Sequence, residues 1–165
     1  MRAISLIVLA VLTAGDRPAG RPEAFDIGRG ERLGGFVPSG MRSDHEKGDD
    51  VLFLSTGETV GFTIVVFSRE TPEAAAHRHW DWMHVGDTAM TPIQEKKLGN
   101  VTALVFSTTA RGLTFVYSFR SFPGGPPNRA ISVAGSWPTS RDREMFPVFE
   151  EILSKMVAWR TPTRK

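Results

Sequence analysis

The run His77-Arg78-His79-Trp80-Asp81-Trp82-Met83-His84 gathers three of the four histidines of this 165-residue chain. Imidazole nitrogens suit Zn or Cu, and a carboxylate oxygen can share such a ligand set. Asp81 follows His77 by four residues and precedes His84 by three. At helical pitch that spacing puts His77, Asp81 and His84 on one face, where they could hold a metal. Arg78 beside them works against a cation, and no second cluster offers further ligands. The competing reading is a surface helix with solvated histidines.

Hydrolytic chemistry has less to stand on. The chain has no cysteine, and no G-x-S-x-G turn presents a serine. A serine could meet His77 or His45 only through the fold. Glu70, Glu73 and Asp81 could pair as acid and base, although carboxylates at a helix start ordinarily serve its dipole. A small hydrolase is therefore an alternative, and a non-enzyme is the leading reading. Asp44-His45-Glu46 and Asp49-Asp50 crowd oxygen ligands into one loop, but not at the spacing of a calcium loop. Gly28, Gly30, Gly34 and Gly35 mimic a phosphate loop, yet no clear strand precedes them and no Lys-Ser/Thr follows. Arg111 to Tyr117 partly matches an RNA-binding strand, but Leu113, Thr114 and Ser118 stand where stacking or small residues belong.

The elements that must position these groups emerge from hydrophobic periodicity. Residues 23 to 50 are rich in Gly, Asp and Arg and suggest a loop-rich stretch with one or two short edge strands. VLFLS from Val51, a Thr56-Gly57-Glu58 turn and TVGFTIVVFS predict a hairpin whose second strand is apolar on both faces, as befits the middle of a sheet. Thr71-Pro72-Glu73 predicts a helix start, with Ala76, Trp80 and Met83 as the packing face. Strands follow over about 92–98, 100–108 and 113–122, then a rigid tip at Pro123-Gly124-Gly125-Pro126 and a returning strand from Arg129 to Trp137. The last helix is expected after Pro138, capped by Thr139 or Ser140, with Pro147 tolerated in its first turn. Met145, Phe149, Ile152, Met156 and Trp159 give it an apolar stripe. Helices grouped about an antiparallel sheet make an α+β domain, with one helix on each face.

The amino end has the layout of a secretory leader: basic Arg2, an apolar run from Ala3 to Leu12, then small residues Thr13, Ala14 and Gly15. It is too short to span a bilayer as a transmembrane segment. Residues 1–15 are thus expected to be a signal peptide, 16–32 a flexible tether, 33–160 one domain and 161–165 a tail. An exported protein, periplasmic or extracellular, follows. Hydrophobic residues make up 41% and charged residues 23% of the chain, as in a globular protein. Setting Arg2 aside, the 20 basic residues become 19 against 18 acidic ones. So even a balance provides no field for nucleic acid.

The segment from Gly112 carries a resemblance. An aromatic strand, a Gly/Pro turn, Arg129-Ala130-Ile131-Ser132-Val133, an Arg/Asp linker and Met145 to Ser154 resemble the end of Mog1/PsbP-like domains. Those close on a strand and a helix reading roughly F-x-x-V/I-F-x-x-I-L-x-S. The resemblance covers about residues 33 to 160. It implies an α/β/α sandwich with a central antiparallel sheet flanked by helices and a binding or assembly role toward a protein or envelope component; no cofactor is expected beyond Zn or Cu at the His77, Asp81 and His84 face. The tip at 123–128 is longer than the family pattern, and the helix lacks its aromatic after Ser154. On a rigid scaffold, loops carry binding. The expected contact surface is Phe36 and Met41 together with Pro123, Gly124, Gly125 and Pro126.

Overall fold

The computed structural model describes residues 19–28, 31–45, 50–57, 59–84 and 89–160, with backbone alone for 158–160. Its elements in chain order are β1 (Gly20–Asp26), β2 (Glu31–Pro38), β3 (Arg42–Asp44), β4 (Val51–Thr56), β5 (Val60–Phe67), α1 (Pro72–His84), β6 (Gln94–Leu98), β7 (Val101–Ala110), β8 (Leu113–Ser121), β9 (Ala130–Pro138), a 3-10 turn (Thr139–Arg141), α2 (Asp142–Ser154) and β10 (Val157–Arg160). The leader expected over 1–15 and the tail at 161–165 lie outside the described residues, as do Gly30, Glu46 and Asp49.

Seven strands form one antiparallel sheet in the order β3-β4-β5-β9-β8-β7-β6. Side chains alternate across a strand, so each central strand feeds two cores. On one face Phe62, Val116, Val133 and Trp137 join Phe149 and Ile152 of α2 in the larger core. On the other, Phe106 and Phe119 pack with Ala75 and Ala76 of α1. One helix thus covers each face, and the α+β sandwich expected from the sequence is the fold observed. Burial of Phe149 and Ile152, both 1% exposed or less, stabilises by about 1.5 to 3 kcal/mol each.

A second, three-stranded antiparallel sheet has the order β1-β2-β10, and α2 packs against β2 as well as β9. Here the structure departs from the expected tether over 16–32 and from the loop-rich stretch after it. Gly20 to Asp26 pair residue by residue with Pro38 to Arg32. Leu33, Val37 and Phe25 turn into the larger core, and that burial holds a segment whose glycines obscure the strand alternation.

The carboxy-terminal helix is also shorter than its apolar stripe suggests. It stops at Ser154, and the chain turns to pair Val157 to Arg160 with Gly34 to Glu31. Met156 is still buried, whereas Trp159 lies in β10. Arg120 explains the stop: its Nη2 donates to the carbonyl oxygens of Leu153 at 3.1 Å and Met156 at 2.9 Å. The Leu153 carbonyl is one of those that a helix end leaves without partners, and the Met156 carbonyl lies just beyond the helix. At the other end no side chain caps α2, so neither Thr139 nor Ser140 plays that role, and Pro147 sits inside the helix beyond its first turn. The start of α1 is as expected, with Thr71 Oγ1 accepting from the Ala74 N–H at 3.2 Å.

Candidate functional site

Concave surface gathers where the β2–β3 turn, the end of β4 and the start of α2 meet. A hollow of about 430 Å³ lies between Pro38 and Met41 on one side and Met145, Pro147 and Val148 on the other, with Arg141 and Arg143 at its rim. Thr56 lines it and also lines a second, polar hollow of about 410 Å³ formed with Gly40, Arg42, Ser55 and Gly57. The two hollows share Thr56 in their linings and are together termed the trough. Gly40 and Gly57 stand at φ +80° and +61°, a conformation that side-chain-bearing residues rarely adopt, and so allow the two turns that flank the polar half.

The helix side of the trough is held from below. Trp137 is fully buried, and its indole N–H donates to Asp142 Oδ1 at 2.7 Å. Phe146, 40% exposed, meets the Trp137 ring edge-on at 5.3 Å. Together these contacts seat the first turn of α2 on β9. At the rim, Arg141 is engaged by Glu144, with Nε donating at 2.9 Å. This guanidinium holds the Glu144 carboxyl below its usual range. Arg42 and Arg143 are exposed and have no acidic partner among the described residues.

The expected contact residues do not come together. Phe36 and Met41 are buried, at 5% and 7% exposure, so they form walls instead of projecting anchors. Met41 borders the trough. Phe36 borders a separate apolar hollow of about 440 Å³ on the small sheet, where it lies over Gly20 with Lys155 Nζ 4.3 Å from its ring centre. The Pro123-Gly124-Gly125-Pro126 tip joins β8 to β9, is partly exposed and borders none of these hollows.

His77, Asp81 and His84 are all exposed on α1. His84 stacks on Trp80, 4.3 Å between ring centres. Among the described residues no group of three His, Asp or Glu side chains is placed to hold a metal ion. His79, the member of the run outside that trio, turns toward the sheet. Its ring lies 5.1 Å from Tyr117, 5.8 Å from Phe119 and 6.3 Å from Phe106. Burial, and then Arg78, lower its pKa, and burial raises that of Tyr117. These are packing surroundings, made of aromatic rings. The same helix covers the β8 aromatics that partly mimic an RNA-binding face. The trough itself escapes sequence reasoning because its parts are turn, strand end and helix start, far apart in the chain; the excess of Arg over Lys near 141–143 is the one signal available.

Comparison with solved structures now decides the architecture. The chain superposes on cyanobacterial PsbP (CyanoP) from Synechocystis sp. PCC 6803 with a TM-score of 0.53 and 9% identity, over 90% of this chain and 99% of that one. The fold is PsbP-like. A protein from Bacteroides thetaiotaomicron also matches, with a TM-score of 0.48 and 15% identity over 81% of this chain, which spans 47% of that protein's length. No family model matches the sequence, and no curated protein is similar to it in sequence. Identity of 9% leaves the PsbP-like likeness at the level of backbone and layers. Functional residues must then be argued from this chain's own surface.

Proposed function

We propose that this protein is an exported, non-enzymatic binding or assembly domain that docks a protein or envelope component in the Arg-rimmed trough. The observation that carries this reading is the trough itself: an apolar floor between Met41 and Val148, bordered by Arg143, which has no acidic partner among the described residues, and by Arg141, which is paired with Glu144. Apolar pockets with a few convergent polar groups are the usual form of a binding site. The core consumes Phe62, Phe106, Phe119, Trp137 and Phe149 as packing, and His79 packs against Tyr117 and Phe119, a use of these side chains in the fold that agrees with a binding role. The PsbP-like scaffold is consistent with such a role. No helix among the described residues is long and apolar enough to cross a membrane. The basic, apolar and small residues of positions 1–15 support export.

Copurification from the native compartment tests the reading. The full chain should recover a discrete partner, and Val148→Lys should abolish recovery; Val148 also packs on the larger core, so unchanged circular dichroism at the assay temperature must establish that the variant is folded. Equal recovery by the variant, or export of no material, would contradict it.

A further inference from the structure

We infer that the trough takes an acidic, extended protein segment, whose carboxylates engage Arg42 and Arg143 and whose apolar side chain enters the floor between them. This deepens the reading above and rests on it. Charge complementarity at two neighbouring hollows points to such a ligand. Arg42 rims the polar half and Arg143 the apolar half, and Thr56 belongs to both. Neither guanidinium has an acidic partner among the described residues, whereas Arg141 is already satisfied by Glu144. An arginine fork matches a carboxylate in two parallel hydrogen bonds, so two open forks flanking one recess select a ligand with at least two separated carboxylates.

The floor decides against a lipid surface. Its apolar residues are recessed between the β2–β3 turn and α2, with Met41 and Met145 at 7% and 2% exposure. A recess receives a side chain from a passing backbone, whereas a bilayer needs apolar groups that protrude and a dense basic cluster. The basic side chains that line the two hollows are Arg42, Arg141 and Arg143, fewer than such a cluster needs. Methionines in the floor suit an apolar guest of variable shape. Hydroxyls on the polar side, from Ser55 and Thr56, can donate to further carboxylate oxygens.

The test uses the full chain, a fluorescein-labelled peptide Asp-Asp-Leu-Glu-Asp-Glu, its Asn/Gln counterpart, and phosphatidylglycerol vesicles. Anisotropy should report binding of the acidic peptide only, weakening as salt rises from about 50 to about 200 mM. Arg42→Glu with Arg143→Glu should lower affinity by about tenfold or more. Both positions are exposed, so folding is expected to survive, and unchanged circular dichroism would establish it. Equal binding of the neutral peptide, no binding of the acidic one, or binding to vesicles alone would overturn the inference. The two readings fail separately: a native partner that is lost on Val148→Lys but kept on Arg42→Glu with Arg143→Glu leaves the trough as the site and removes only its acidic specificity.

Discussion

Arg129, just ahead of β9, forms a largely buried ion pair with Glu31 at the start of β2 and so ties the seven-stranded sheet to the three-stranded one. Only 11% of the Arg129 side chain and 18% of the Glu31 side chain are exposed. The guanidinium also lies 4.0 Å from the Phe122 ring centre. Removing one member of such a pair strands the other's charge away from water, which costs about 3 to 5 kcal/mol. Glu31→Ala should therefore lower the unfolding free energy by about 3 kcal/mol in urea denaturation. A loss below about 1 kcal/mol, the worth of a surface pair, would show that the seam is not held this way.

Gly135 marks a second sensitive point. A Cβ there would fall 2.5 Å from Trp137 Cζ3 and 3.0 Å from the Phe62 ring, whereas at Gly61 the nearest atom would be 3.7 Å away. Trp137 and Phe62 are both buried and cannot yield. Gly135→Ala should destabilise by about 1 to 3 kcal/mol through overpacking, and Gly61→Ala by much less. Similar thermal midpoints for the two variants would contradict the packing described.

His79 sets a pH dependence. Burial first, and then Arg78, keep its pKa in the folded protein below the ordinary 6.5. Between the lowered value and 6.5 the unfolded chain binds more protons, so stability from this group is full above 6.5 and declines as the pH falls through that range. Replacing His79 by Phe should flatten that decline. Urea midpoints at about pH 7.5 and about pH 5 measure it, and equal falls for the two proteins would refute the assignment.

Much of this was legible in the sequence, and the misses have physical causes. The hairpin of β4 and β5 follows from alternating apolar residues around Gly57, and α1 follows from Thr71 and Pro72. The aromatic alternation of β8 likewise marks a strand. β1 and β2 are harder because Gly20, Gly34 and Gly35 carry no side chain to alternate. Ile152, Met156 and Trp159 fit a helical stripe, yet Arg120 takes the carbonyls of Leu153 and Met156 and the backbone leaves the helix. Met41, expected as a loop contact, is a buried wall of the trough, and its neighbours Thr56 and Arg143 reach it only by tertiary folding.

Photocrosslinking from position 143 in cells of the source organism tests the central claim most directly, because it asks whether a partner sits at the trough of the folded chain. A photoreactive residue replacing Arg143 should give one adduct of discrete mass, lost when Val148→Lys is added, and the same residue replacing exposed Lys96 on β6 should give none. Adducts of equal yield from both positions, or none from 143, would contradict the account.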